Sequence, residues 1–290
     1  MKISGFTFVR NAIKYDYPIV ESIQSILPIV DEYIVSVGNS EDETLALIQS
    51  ISSPKIKIVQ SVWDDSLKTG GRVLAVETDK AFEYISTDSD WAFYLQGDEV
   101  VHESDHAVIK AATEKYLNDD EVEGLLFKYI HFYGTFDYIG DSRRWYNREI
   151  RIIRNDKSIR SYRDAQGFRK NDRKLNVKLI NASIYHYGWV KSPQAQKAKR
   201  DNFGNYWSGN DQKTNEETEA ELFDYVKDVD SLERFTGTHP SPMKGRISNR
   251  NWDINFETGR KNMSFSDRIL YAFEKKTGIR LFDYKNYRII

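Results

Sequence analysis

Two adjacent carboxylates, Asp98 and Glu99, follow directly on the run Trp91-Ala92-Phe93-Tyr94-Leu95-Gln96-Gly97. A buried strand that ends this way delivers its acids to the carboxyl edge of an open α/β sheet, which is where such sheets bind ligands. Neighbouring carboxylates repel each other unless a cation, hydrogen bonds or solvent relieve them. Mg²⁺ or Mn²⁺ takes oxygen ligands and keeps positions open for a diphosphate, whereas a solvated acidic turn is the plain alternative. Gly70-Gly71-Arg72 supplies a second feature, because a glycine turn at a helix start favours an anion and Arg72 can approach it. The sequence has no P-loop and no complete G-x-G-x-x-G.

The elements that must position these residues alternate in type through the first half of the chain. Strands are expected at Ile3–Val9, Tyr33–Val37, Lys55–Val59 and Trp91–Leu95, with helices at Pro18–Leu27, Glu41–Ile51 and Val73–Ser86. That alternation predicts a Rossmann-like, mostly parallel sheet covered by helices. Gly124–Tyr133, Glu149–Arg154 and Leu179–Tyr187 read as longer strands without clear helices between them, an antiparallel extension on the edge of the sheet. From Ser192 onward the pattern is helical and polar, with an acidic run at Glu216–Glu221, a loop carrying Pro240 and Pro242, and a last helix at Asp267–Lys276 stopped by Gly278.

Composition narrows the function classes. A net charge of -2 gives no general attraction to nucleic acid. The absence of cysteine excludes disulfides, thiolate metal sites and cysteine nucleophiles, and fits a reducing compartment. The apolar stretch at the N-terminus is too short for a signal peptide, and no window reaches the roughly 18 apolar residues of a membrane span. A cytoplasmic protein is expected, with contact at a membrane surface left open. Its 18 tyrosines, 15 phenylalanines and 6 tryptophans exceed the needs of a core, so Trp189, Tyr206 or Trp207 can shape a groove that stacks on a ligand or simply pack.

Three landmarks fall in order at predicted strand ends: Phe8-Val9-Arg10-Asn11, then Val35-Ser36-Val37-Gly38-Asn39-Ser40-Glu41-Asp42-Glu43-Thr44, then Leu95-Gln96-Gly97-Asp98-Glu99. Together they resemble the family 2 glycosyltransferases, over roughly the first two-thirds of the chain. The resemblance implies a GT-A fold, an α/β mixed sheet that binds a nucleotide-diphosphate sugar. It implies that the backbone around Phe8, Val9 and Arg10 lines the base and ribose pocket; locally, Ser40 or Asp42 can cap the second helix, and Asp42 is expected to do so with Ser40 nearer the nucleotide. Asp98 matches the family's metal-binding aspartate, and His186 in Ile184-Tyr185-His186-Tyr187-Gly188-Trp189 matches a histidine that joins it as a ligand of Mn²⁺ or Mg²⁺. His131, His102 and His106 are given no such role. The Arg-rich strand Arg148–Arg154 is expected beside the active site, or as a charged edge strand. Inverting transfer needs a carboxylate to accept the acceptor's proton. Asp164 is the first candidate for it, ahead of Glu149 and Asp141.

Two positions depart from the family pattern. Gln96 stands where the first aspartate of the metal pair is expected, and Val37 or Gly38 where an aspartate touches the base. Glutamine can still hydrogen-bond a ribose hydroxyl. The expected function is metal-dependent sugar transfer to a glycan or lipid-linked acceptor. The alternatives are a non-catalytic nucleotide- or glycan-binding relative and a sugar-phosphate nucleotidylyltransferase. Residues 1–190 are expected to form the donor-binding and catalytic domain, and 191–290 a mainly helical, acceptor-side extension.

Overall fold

The computed structural model describes residues 1–67, 70–207, 222–227, 229–259 and 261–290, and describes the side chains of 202–207 no further than their backbone. The acidic run 216–221 and the side chains of Tyr206 and Trp207 therefore lie outside the described residues.

The first half builds the alternation that the sequence predicts. Strands β1 (Ile3–Val9), β2 (Glu32–Gly38) and β3 (Ile56–Ser61) are joined through helices α1 (Ile19–Ile26) and α2 (Thr44–Gln49). Helix α3 (Arg72–Glu83) then leads into β4 (Trp91–Tyr94), which lies parallel to β1 on the side away from β2. The run β3-β2-β1-β4 is parallel throughout, so the carboxyl ends of β1, β2 and β4 gather at one edge. Helix α2 is shorter than expected because Glu41, Asp42 and Glu43 form a turn: Asp42 Oδ1 accepts from the Thr44 amide at 3.0 Å and from its hydroxyl.

After β4 come β5 (Glu99–Val101), α4 (His106–Lys115), β6 (Gly124–Tyr133), β7 (Tyr138–Gly140) and β8 (Arg148–Arg154). Here the edge expectation fails. Strand β8 runs antiparallel between β4 and β6, in the interior of the sheet. The reason lies in its own residues: Ile150, Ile152 and Ile153 are buried and divide between the two faces, so both faces must be covered. A small separate sheet, β9 (Ile159–Tyr162), β10 (Gly167–Lys170) and β11 (Arg173–Lys174), follows and was not anticipated. Strand β12 (Asn176–Trp189) is long, pairs parallel with β6 and antiparallel with β5, and carries an irregularity between His186 and Trp189.

The later part is helical, with α5 (Pro193–Trp207), α6 (Lys244–Ser248) and α7 (Phe265–Thr277), the last ended by left-handed Gly278 as its sequence indicates. It also returns to the main sheet twice: β13 (Leu232–Arg234) pairs with β7, and β14 (Arg288–Ile289) pairs with β12.

Strand parity sorts the core into two layers. Tyr33, Val35, Val37, Trp91 and Phe93 face α1, α2 and α4, while Phe6, Ile34, Ala92 and Tyr94 face α3 and the β9–β10 hairpin. Beyond the strand ends, aromatic rings fill two further clusters around β6, β12 and the C-terminal segments. Trp189 belongs there, against Tyr133, Trp145 and Phe223, so its ring packs rather than lining an open groove. No helix of the described residues is long and apolar enough to cross a membrane.

Candidate functional site

The turn from β4 to β5 is fixed before any ligand arrives. Thr7 Oγ1 donates to the Leu95 carbonyl at 2.6 Å, Ser22 Oγ to the Gln96 carbonyl at 3.0 Å, and the Glu99 amide to the Gln96 carbonyl at 3.1 Å. Asp98 and Glu99 leave this turn toward different surroundings. Glu99 is fully buried and forked by Arg151, with Nε at 2.7 Å and Nη2 at 2.5 Å, and it also accepts from the Tyr129 hydroxyl and from the Gln96 amide at 3.1 Å. Its lone pairs are committed to structure.

Asp98 points the other way. Its Oδ2 lies 3.7 Å from His186 Nε2 and 3.1 Å from the Lys199 ammonium, and its carbonyl accepts from the Tyr187 amide at 2.8 Å. Burial alone raises a carboxyl pKa, but Lys199, His186 and Lys191 outweigh it and hold Asp98 well below the usual carboxylate range. Gly188 covers the pair: a Cβ there would stand 2.5 Å from His186 Nε2 and 2.6 Å from Asp98 Oδ2. The Gly188 carbonyl also accepts from Lys199 at 3.0 Å. Lys191 is wholly buried behind this site, donates to the Asp16 carbonyl, and has its pKa pushed down to about 7, by burial first and Lys199 second.

His186 does not stand alone. His131, adjacent in register on β6, places its Nδ1 3.2 Å from His186 Nδ1, while its Nε2 lies 2.9 Å from the Tyr146 carbonyl. Burial holds the His131 pKa well below the ordinary histidine value, with His186 adding to the effect. Sequence reasoning passed over His131, because only the register of β6 against β12 brings it here. His102 and His106 are used elsewhere, bonding Thr238 Oγ1 at 3.0 Å and the Ser25 carbonyl at 2.7 Å.

At the ends of β1 and β2, Phe8 packs on Trp63 at 5.6 Å between centroids, and the Arg10 guanidinium lies 5.5 Å over the same indole. Arg10 also bonds the Asn39 carbonyl at 3.0 Å and Asp65 at 2.7 Å. Val9 is buried in the core, so only its backbone is available to a ligand. Ser40 Oγ accepts from the Asn11 amide and donates to the Gly38 carbonyl, both at 3.0 Å, and so locks the two strand ends together. Gly38 leaves no room for a side chain: a Cβ would stand 2.4 Å from Trp63 Nε1.

A cleft of about 680 Å³ opens between the start of α3 and the β9–β10 turn, and both Arg72 and Asp164 line it, with Asp79, Arg163 and Gln166. Asp79 accepts from the Ser161 amide at 2.7 Å, and burial raises its pKa to about 6. Burial likewise raises that of Asp164. Asp164 lies between two left-handed residues, Arg163 at φ 56° and Ala165 at φ 62°, conformations that non-glycine residues keep only where the surrounding structure over-determines them. Gln96 reaches this wall, with Nε2 3.4 Å from the Ala165 carbonyl.

The two reserve carboxylates separate. Asp141 accepts from Lys261, Lys275 and the Tyr271 hydroxyl, each at 2.6 Å, which makes it a tether for α7. Glu149 is buried 3.7 Å from Arg151, and burial raises its pKa to about 8 despite that arginine. Two arginines of the Arg-rich strand are spent internally. Arg151 clamps Glu99, and Arg154 donates to the carbonyls of Tyr116, Leu117, Asp119 and Val122.

Among the described residues, no group of three or more His, Cys, Asp or Glu side chains is arranged to hold a metal ion. Asp98 and His186 offer two donors of suitable chemistry, one oxygen and one nitrogen, at a separation that one ion can bridge. That set fits an ion whose remaining positions go to substrate oxygens and water.

No protein-family model matches the chain, and no curated protein matches it. Among solved structures it is similar to TarS of S. aureus, at 17% identity over 69% of this chain and 38% of that one, with a TM-score of 0.39. It is also similar to TarS 1–349 in complex with UDP, at 15% identity over 69% and 64% of the two chains, TM-score 0.41. A third is glucosyl-3-phosphoglycerate synthase from Mycobacterium tuberculosis, in complex with Mn²⁺, UDP and phosphoglyceric acid, at 20% identity over 45% and 43%, TM-score 0.30. The chain thus spans less than two thirds of the length of each of these structures.

Proposed function

We propose that this protein transfers a sugar from a nucleoside-diphosphate donor to a hydroxyl of a glycan or lipid-linked acceptor, with inversion. One observation carries the reading: a buried carboxylate and an imidazole, Asp98 and His186, converge beneath Gly188 at the carboxyl end of β4. The order of the motifs at the strand ends supports it, as does the cleft holding Arg72 and Asp164 beside Gln96.

In this proposal the backbone at Phe8, Val9 and Arg10, with Ser40, holds the nucleoside, and Gln96 offers its amide to the ribose. Arg72, at the start of a helix, meets donor phosphate. Asp98 and His186 would hold Mn²⁺ or Mg²⁺, which when bound supplies Lewis-acid neutralisation of the departing diphosphate. The acceptor oxygen attacks the anomeric carbon, its proton passes to Asp164, and the bond to the nucleoside diphosphate breaks. Residues 1–190 carry donor binding and chemistry, 191–290 face the acceptor, and the reaction belongs to the cytosol.

A second reading follows from Lys199, whose ammonium already neutralises Asp98. In that reading Lys199 takes the place of the ion. A thermal-shift panel of nucleoside diphosphates with and without Mn²⁺ separates the two, since a ligand of the folded state raises Tm by mass action. Metal-dependent stabilisation that disappears in Asp98→Ala supports the ion, and a metal-independent shift lost in Lys199→Met supports the lysine. Hydrolysis of nucleotide sugars, screened across donors, tests turnover; intact nucleotide binding with no hydrolysis or transfer of any donor identifies a binding protein and ends the transferase reading.

A further inference from the structure

Helix α7 presents its two faces in the reverse of the usual order, in which the apolar stripe meets the core. Its polar side chains hold it down: the Tyr271 hydroxyl and the Lys275 ammonium each reach Asp141 at 2.6 Å, and Glu274 accepts from Arg143 at 2.8 Å. Its apolar side chains face away, and none of its residues is buried. Phe265 is 81% exposed, Ile269 55% and Phe273 39%, and their spacing of four residues sets them in one stripe along the helix. The exposure continues past Gly278. Phe282 is 90% exposed and left-handed, at φ 57°, a conformation that a bulky residue keeps only where its surroundings compel it. They do so here, because Arg143 bonds the Leu281 carbonyl on one side and Arg280 pairs with Asp283 at 3.2 Å on the other. Eight of the sixteen large apolar side chains exposed among the described residues fall between Phe265 and Ile289, so the exposure is concentrated rather than scattered.

Cations accompany the rings. Residues 261–290 hold seven Lys and Arg against three Asp and Glu, in a chain whose net charge is -2. Lys276 lies on the apolar stripe itself, three residues from Phe273 and seven from Ile269, and Arg268 borders it. Lys276 and Lys285 are exposed and pair with no carboxylate among the described residues. We infer that this face of α7, together with Phe282, docks on the surface of an anionic lipid bilayer, with the rings among the headgroups and Arg268, Lys276 and Lys285 on lipid phosphates. A second copy of the chain suits the face poorly, because a two-fold contact through the stripe would bring Lys276 toward its own counterpart. The helix hangs from the loop between β7 and β8, which also supplies Tyr146 beside His131, so docking turns the site end of the sheet toward the lipid. The inference stands without the transfer reading, since a protein that transfers nothing can still dock.

Vesicle co-sedimentation of the full chain tests this. The chain is expected to pellet with vesicles of phosphatidylcholine and phosphatidylglycerol in equal parts, to stay in solution with phosphatidylcholine alone, and to leave the mixed vesicles at high salt. Phe265→Ser, Ile269→Ser and Phe273→Ser together should lower the affinity for mixed vesicles about 10-fold or more, and Lys276→Glu with Lys285→Glu about as much. All five positions are exposed, and circular dichroism checks that both variants fold. A parent chain that stays in solution with the mixed vesicles, or folded variants that pellet as it does, overturns the inference. A dimer in lipid-free solution that the apolar substitutions dissolve assigns the face to a second copy and overturns it too.

Discussion

On one side of the β4–β5 turn, Glu99 is met by a forked arginine, a tyrosine hydroxyl and a backbone amide; on the other, Asp98 meets an imidazole and an ammonium beside a gap kept by a glycine. The two acids are consecutive in sequence, but Asp98 closes the turn while Glu99 opens β5, and their side chains leave to different surroundings. The Glu99 side couples β5, β6 and β8 through Arg151 and Tyr129, so it holds the turn. The Asp98 side has donors that face one another with room between, so it can accept something. This doublet is therefore one anchored acid and one acid beside an open gap, rather than a shared charge.

The largest effect that tests this division is on the anchor. Glu99→Ala leaves the buried Arg151 guanidinium without its main partner, and urea denaturation should show a loss of about 3–5 kcal/mol. A loss below about 1 kcal/mol would mean that Glu99 anchors nothing.

Next is Glu149, which shares Arg151. Its folded-state pKa of about 8 lies above the ordinary carboxyl value of 4.5, so the folded protein keeps a proton that the unfolded chain releases between those limits. Stability should therefore fall as pH rises through that window. Glu149→Gln, which mimics the protonated carboxyl, should remove this slope and exceed the parent by about 1–3 kcal/mol at the alkaline end, read from paired denaturation curves.

Gly188→Ala forces a methyl against both Asp98 and His186, and should cost about 1–3 kcal/mol while abolishing any metal-dependent thermal shift. Asp98→Asn should be the mildest for the fold, about 1 kcal/mol, because the amide keeps the carboxylate's shape and the Lys199 ammonium keeps its bond to the Gly188 carbonyl. It should nonetheless remove the whole metal-dependent shift in the presence of UDP. If Asp98→Asn destabilises as much as Glu99→Ala, the contrast between anchor and ligand collapses.

What the sequence showed clearly was local. The strand Gly124–Tyr133, the helix stop at Gly278 and the place of Asp98 just past the carboxyl end of β4 were all legible from runs of apolar residues and the groups that end them. The interior position of β8 was obscured because Arg148, Arg151 and Arg154 look like an edge guard, while the isoleucines between them carried the opposite signal. His131 was hidden for a different reason: its contact with His186 depends on pairing with a strand 55 residues away, and no local pattern encodes that register. The β9–β10 turn stayed unread because its shape comes from left-handed Arg163 and Ala165 rather than from glycine. Gly188 could have been noticed from its place beside His186.

Gly38 has a bearing on how sequences of this kind can drift. Trp63 fills the space above it so closely that any added carbon collides with the indole, and the ring in turn supports Phe8 and Arg10. An acidic group can enter position 38 only if the tryptophan shrinks or swings aside, and the tryptophan can shrink without leaving a hole only if position 38 grows. Each single step costs stability, so the two residues form a ratchet that must be released as a pair.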